Sequence, residues 1–593
     1  MRLSRQLSVI LSAFTLAAVP TASPAQAPTA EGATPADARL RQLYDGYWQW
    51  QVEEQGRVPD GEGGYTSGDR LPRVDPASQL RRLERARQTL AQLDAIPVDR
   101  LSQTEQVNAA VFRTILDEAI TDGRFREWEM PFNSDSSFWT YLDERRALRS
   151  ADDYRRYIAR MRDIPRYFDE QFENMRAGLA RGFSVPRLTI EGREHSIASF
   201  VTDEAEANAF YAAFRDMPAT IPAAEQESVR AQARTAIRDS VIPAYARLLD
   251  FYRDEYLPRT RTTVSAQALP DGDAYYRAQI RKFATIDISP EEAHRIGLAE
   301  VARIDAEMRR TMRESGFTGT FEQFLHFLRT DPQFYAETPE ELLMVSAYVA
   351  KRVDGAIGDT IGFLPRRRFT IIPVPEALAP FYTAGRGGLE SCQMNTYNLP
   401  SRPLYQIPAL TLHECAPGHS FQAALAEERD QVPDFRRYTY FSGFGEGWGL
   451  YTEWLGIEMG IYRTPYENFG RLSYEMWRAA RLVIDTGLHL HGWSREQAID
   501  YLAGHTALSR HEVETEVDRY ISWPGQALAY KLGEMTIRRL RGEAEAALGP
   551  AFDRRRFHDA ILALGSVPLP VLEARIARFI AEERERPAAE GRS

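Results

Sequence analysis

The sequence predicts a mainly α protein with one small β-sheet, and three observations carry that prediction. Apolar residues recur at three- and four-residue spacing over most of the chain. Strand-like, β-branched material is confined to residues 368–399. Proline- and glycine-containing breakers separate the periodic stretches. With 593 residues, 44% hydrophobic and 26% charged, the chain is neither disordered nor fibrous.

The N-terminus places Arg2 and Arg5 before an apolar stretch from Leu7 to Val19 and a small-residue run from Thr21 to Ala27. This predicts a signal peptide over 1–25, with Ser23 and Ala25 at the −3 and −1 positions before the cleavage site. Leu7–Val19 falls short of the roughly 20 residues that span a bilayer, and no cysteine follows it to carry a lipid. Residues 26–40, rich in Ala, Pro, Thr and Gly, read as a mobile leader.

Helices are predicted over Leu80–Leu93, Thr104–Ile120, Ala151–Leu179 and Val229–Tyr256. Phe183–Pro186 and Leu257–Thr263 act as breakers between them. Asp287–Glu314 is a helix opened by Ser289 as cap and Pro290 in its first turn. Phe369–Val374 and Ser391–Tyr397 are the strand candidates, separated by a turn at Gly385–Gly388. Helices then resume to the C-terminus. The division expected is an N-terminal helical half over 41–265 and a second half over 266–593.

There are 73 basic and 84 acidic residues, a net charge of −11 with no Lys/Arg run long enough to overcome it, which argues against a general nucleic-acid-binding role. No segment after the leader is apolar enough for stable membrane insertion. Cys392 and Cys415 are the only cysteines, and the sequence leaves open one bridge or two buried thiols.

Six of the ten histidines fall between His413 and His511. At the front of this region stands His413-Glu414-Cys415-Ala416-Pro417-Gly418-His419. In the zinc-protease pattern His-Glu-x-x-His, two histidines at i and i+4 share one helix face and the Glu is general base. Here the second histidine is at i+6, about 120° round a regular helix of 3.6 residues per turn. Pro417 lacks the N–H that would bond back to His413, and Gly418 tolerates unusual angles, so a bulge or kink is expected to swing His419 beside His413. Glu446, between Gly445 and Gly447, would complete a site for one Zn²⁺ per chain. Glu453, seven residues on, is either a hydrogen-bond partner of a ligand or a helix-surface charge.

Arg481, Asp485 and His489 lie at i, i+4 and i+8 of a helix over Trp477–His491. One reading makes His489 a proton-bearing catalytic group held charged by Asp485; the other makes the stripe a buried polar ladder. Around the break at Pro524-Gly525, Arg519 and Tyr520 are candidates to contact substrate or ligands, and Tyr530 to donate to an oxyanion. Both tyrosines also suit a core with satisfied hydroxyls.

The stretches PEEAHRIGLAEV (290–301), HECAPGHSFQ (413–422), EGWGLYTE (446–453), RLVIDTGLH (481–489) and DRYISWPGQALAYKLG (518–533) resemble the bacterial domain-of-unknown-function family 885. That family is in turn similar to helical gluzincin peptidases of the oligopeptidase and angiotensin-converting-enzyme kind. The resemblance implies a two-lobed helical cleft, His413, His419 and Glu446 as zinc ligands, and Glu414 as base. Ser420 and Cys415 depart from it: a histidine is usual at the first and a small apolar residue at the second.

The function expected is that of an exported, periplasmic or secreted zinc hydrolase that cleaves short peptides, with the strand near Ser391–Tyr397 receiving substrate backbone. Rival readings are an acyl-amino-acid hydrolase and a periplasmic binding protein with a degenerate metal site. Glu414 argues against the last, because a pure binder has no use for a base.

Overall fold

The computed structural model describes residues 34–586, apart from 62–63, 135, 145, 377–378 and 430–431. The expected signal peptide and residues 26–33 of the expected leader lie outside the described residues. The rest of that leader is helical, not irregular. Thr34 and Asp37 form a capping box and Pro35 occupies the first turn of α1 (Pro35–Glu54), so local capping overrides a loop-like composition.

A small antiparallel hairpin of β1 (Arg57–Pro59) and β2 (Tyr65–Ser67) follows. It adds a second sheet to the one expected, and strands of three residues are too short to leave an alternating pattern. The helices α2 (Pro76–Asp94), α3 (Gln103–Phe125) and α4 (Ala151–Arg181) contain the first three predicted helices. α4 begins at a capping box of Ser150 and Asp153 and stops at Gly182, whose φ of 77° suits glycine. The predicted Val229–Tyr256 lies in a helical run over 223–259 that loosens into π-helix at Ile237–Val241 and Phe251–Tyr256.

Next come α5 (Gly272–Ala284), α6 (Pro290–Glu314), whose Ser289 cap accepts from the Glu292 N–H as predicted, and α7 (Pro339–Ala356). The predicted strand region is a three-stranded sheet of β3 (Thr370–Pro373), β4 (Gly385–Gly387) and β5 (Ser391–Met394) in the order β3-β5-β4. β5 is central, parallel to β3 and antiparallel to β4. Gly385–Gly387, expected as a turn, is thus an edge strand. The helices that follow are α8 (Ile407–Glu414), α9 (His419–Glu427), α10 (Ser442–Glu458), α11 (Pro465–His489), α12 (Arg510–Ser522), α13 (Ala529–Leu548) and α14 (Leu569–Glu585).

Core packing cuts across the boundary expected at residue 265. Leu40, Tyr44, Phe112 and Leu116 from the first helices share one buried cluster with Trp448 of α10, Ile537 of α13 and Phe579 of α14. A second cluster packs α6 and α11 around the sheet through Ile304, Met308, Cys392, Leu410 and Val483. A third, rich in aromatic rings, is drawn from residues 74–256. Glycines let the helices that carry the site approach closely: a Cβ on Gly447 of α10 would fall 2.6 Å from the Gly533 Cα of α13.

Candidate metal centre

α8 delivers His413 and Glu414 in its last turn. The chain then leaves the helix altogether, with Cys415 at φ −99°, ψ −95°, a cis Ala416–Pro417 peptide, and Gly418 at φ −77°, ψ −134°. The expected bulge is therefore a complete break, and His419 opens a new helix, α9. Any side chain at 418 would collide with the backbone, since its Cβ would lie 1.8 Å from the His413 carbonyl oxygen. Trp448 of α10, fully buried, pins the break by donating from its indole to the Pro417 carbonyl at 2.8 Å.

The break has the expected effect: the His413 and His419 rings meet edge-to-face with centroids 4.8 Å apart. Glu446 of α10 completes the group, its Oε2 3.4 Å from His413 Nε2 and 3.2 Å from His419 Nε2. One ligand atom from each of the three residues lies within 4.8 Å of the others. Ser420, fully buried, does not join them. Its hydroxyl donates to the Glu414 carbonyl at 3.1 Å and accepts from the Gly388 N–H at 3.2 Å.

Glu453, two turns beyond Glu446, is buried and its Oε1 sits 2.8 Å from His413 Nδ1. It is thus a partner of His413, not a surface charge. The contact keeps the His413 proton on Nδ1 and leaves Nε2 facing Glu446. α10 lies directly on the imidazole, because a Cβ on Gly449 would come within 2.7 Å of the ring. Burial opposes a charge on His413, but hydrogen bonds to Glu446 and Glu453 outweigh it and raise its pKa to about 9. Burial likewise opposes a charge on Glu446, and His419 and His413 overcome it to hold this carboxylate well below its usual range. The donor set therefore favours positive charge at its centre. Two imidazole nitrogens and one carboxylate oxygen fit a zinc ion that keeps a further position for water.

Glu414 accepts a hydrogen bond from the Gly387 N–H of β4 at 2.6 Å, which ties the base candidate to the sheet edge. Cys392 of β5 and Cys415 are disulfide-bonded, resolving the question left open by sequence. The bridge closes a loop of about 23 residues, a restriction of the unfolded chain that contributes about 3 kcal/mol. Replacing both cysteines with alanine is expected to lower the unfolding free energy by about that amount, as read from urea titration.

Tyr530 of α13 stacks on the His413 ring at a centroid distance of 6.4 Å and 19°, so the structure brings it to the site. Its hydroxyl accepts from Arg519 Nη2 at 3.3 Å. Arg481, fully buried, lies 4.2 Å over the Tyr530 ring and donates to the Tyr520 hydroxyl and to Glu516, both at 2.9 Å. Tyr520 is a buried tie between α11 and α12 and also accepts from the Trp477 indole.

The expected pairing of Asp485 with His489 is corrected. Asp485 accepts from the Tyr276 hydroxyl at 2.6 Å and the Gly525 N–H at 3.1 Å. His489 spends both ring nitrogens on backbone: Nδ1 accepts from the Ala266 N–H at 3.0 Å and Nε2 donates to the Tyr520 carbonyl at 2.9 Å. Burial pushes its pKa down to about 3, so it is neutral rather than proton-bearing. The stripe is the polar ladder that joins α11 to its neighbours.

A stability prediction follows from this. The unfolded imidazole binds a proton below about pH 6.5 and the folded one only near 3, so the folded state loses stability as pH falls through that window. His489→Gln, which keeps a donor and an acceptor, is expected to close part of its stability gap to the unmodified protein between pH 7 and pH 5. Urea unfolding at the two values checks this. His489→Ala, which strands two buried backbone groups, should cost about 2 kcal/mol or more.

The sequence reading missed Tyr440, whose hydroxyl donates to Glu446 Oε1 at 3.1 Å. No spacing rule points to it, since it sits in the loop before α10. The contact of Gly449 with His413 was hinted at only by the alternation of glycines at 445, 447 and 449.

Among the solved structures that share the fold are two bacterial proteins. One, described as a "putative lipoprotein" from Colwellia psychrerythraea, is 25% identical, covers 93% of this chain and 100% of its own, and superposes with a TM-score of 0.86. The other, a "putative lipoprotein of unknown function" from Shewanella oneidensis, is 18% identical, covers 92% and 100%, and gives 0.62. No functionally curated protein matches the sequence. Residues 59–576 match the family described as "Bacterial protein of unknown function (DUF885)", and that span takes in the sheet, the broken helix and every residue of the candidate centre. The chain belongs to the DUF885 family.

Proposed function

We propose that this protein is an exported zinc-dependent hydrolase acting on short peptides, similar in its chemistry to the helical gluzincin peptidases. The observation that carries the reading is the meeting of His413, His419 and Glu446 beside Glu414, with Glu414 bonded to the edge of a sheet.

His413, His419 and Glu446 would hold the metal. When bound, zinc acidifies a coordinated water and polarises a substrate carbonyl. Glu453 fixes the tautomer of His413. Glu414, with Oε2 held by the Gly387 N–H, has Oε1 to take a proton from the attacking water and return it to the leaving amine. Tyr530, whose ring stacks on His413, would donate its hydroxyl to the developing oxyanion.

The substrate strand belongs on the outer edge of β4. β5, the strand first expected to receive it, is paired on both sides and has no edge to offer. No described helix is long and apolar enough to cross a membrane. Export rests on the N-terminal pattern of Arg2, Arg5 and Leu7–Val19, in keeping with the lipoprotein description of the two solved structures.

The test is a mixed pool of short peptides and acyl-amino acids followed by mass spectrometry. The expected result is peptide cleavage that is lost on chelation and restored by zinc. Cleavage of acyl-amino acids alone would select the rival amide hydrolase, and retention of ligands without turnover would select the binding protein.

A further inference from the structure

Tyr440 is an exposed residue with a buried obligation. The residue is 53% exposed, yet its hydroxyl donates to Glu446 Oε1 at 3.1 Å. An exposed tyrosine has water as an alternative partner, so this contact has to be imposed by the surrounding chain.

Three features impose it. Next to Tyr440, Phe441 is buried in the core and its N–H donates to the Ser566 hydroxyl at 2.8 Å, while on the other side the Thr439 hydroxyl donates to the Phe435 carbonyl at 2.6 Å. Two residues back, Tyr438 stacks on Trp48 of α1, with planes 3° apart and centroids at 5.5 Å. The Tyr440 ring itself lies against the bare Cα of Gly445, where a Cβ would come within 2.2 Å of it.

Glu446 is thereby divided between two tasks. Oε1 is held by Tyr440, and Oε2 faces both imidazoles at 3.2 and 3.4 Å. A carboxylate free to rotate would offer either oxygen, or both, to an ion. We infer that Tyr440, seated on Gly445, is the positioning residue that fixes the rotation of Glu446 and presents a single oxygen to the metal. The role rests on the zinc reading above, and it reaches back to α1 through the Tyr438–Trp48 stack.

Removing an outer partner of a metal ligand typically weakens metal binding by about 10- to 100-fold. The test is a double-mutant cycle on zinc affinity, measured on the full chain by competition with a chelator of known affinity. Tyr440→Phe removes only the hydroxyl, and Gly445→Ala displaces the ring that carries it. Each is expected to weaken zinc by about 10- to 100-fold, and the double variant no more than the worse single one, because both act through one hydrogen bond. Trp48→Ala should weaken zinc by a smaller factor, with Tyr440→Phe abolishing that effect.

Zinc affinity within about threefold of the unmodified protein in a folded Tyr440→Phe would overturn the positioning role while leaving the zinc reading intact. Additive losses from Tyr440→Phe and Gly445→Ala would overturn it too. Failure of the unmodified protein to bind zinc would instead overturn the metal reading, and this role with it. Tyr440→Phe decides the matter even where Gly445→Ala fails to fold.

Discussion

Glu414→Gln is expected to bind zinc normally, unfold at an unchanged temperature and lose at least about 10²-fold in kcat, the usual consequence of deleting a general base. Two features of the structure make this substitution clean. Glu414 is not among the three residues whose ligand atoms converge, so the metal should stay. Its Oε2 accepts from the Gly387 N–H, and a glutamine carbonyl can accept the same bond, so the sheet edge keeps its tie to α8. What glutamine cannot do is take a proton. A variant that retains zinc and full activity would show that another group activates the water. One that loses zinc would make Glu414 a ligand and overturn the assignment of roles.

The second large effect is on metal content. His413→Ala, His419→Ala and Glu446→Ala should each lower zinc from about one per chain to a small fraction of that, because three protein ligands are the usual minimum for such a site. Ser420→Ala should keep its zinc and lose only a hydroxyl bonded to Glu414 and Gly388, costing about 1 kcal/mol of stability. Elemental analysis of the four purified variants after dialysis reads both outcomes. The His419/Ser420 contrast matters most. On an unbroken helix Ser420, at i+7, would share a face with His413, whereas the break at Pro417-Gly418 puts His419 there. Zinc retained by His419→Ala and lost by Ser420→Ala would mean that α8 and α9 are continuous in solution.

Much of this architecture could be read from local sequence, and the parts that could not share a physical cause. The helix start at Ser289-Pro290 was legible because a cap is a contact between near neighbours. The break between His413 and His419 was legible because proline and glycine act on their own backbone. The strand order was not legible: that β5 lies between β3 and β4 depends on which segments meet in space. The same is true of His489. Asp485 and His489 stand one turn apart on α11, which suggests a pair, but Tyr276, Gly525, Ala266 and the Tyr520 carbonyl arrive from elsewhere in the chain and take up both groups. Tyr440 was invisible for the converse reason. Its partner is only six residues away, but across a loop whose course is set by Ser566 and Trp48.

The sharing of one core between the first helices and the last bears on when this protein becomes itself during synthesis. Leu40, Tyr44 and Phe112 share a buried cluster with residues of α13 and α14, more than 400 residues later in the chain. The early helices can already pack on one another, as Tyr44 does on Phe112, but this cluster stays incomplete until nearly the whole polypeptide has been made. For the export proposed above that delay would be useful, since a polypeptide that closes late stays threadable through a translocation channel. It also means that neither half, expressed alone, would make a self-sufficient domain.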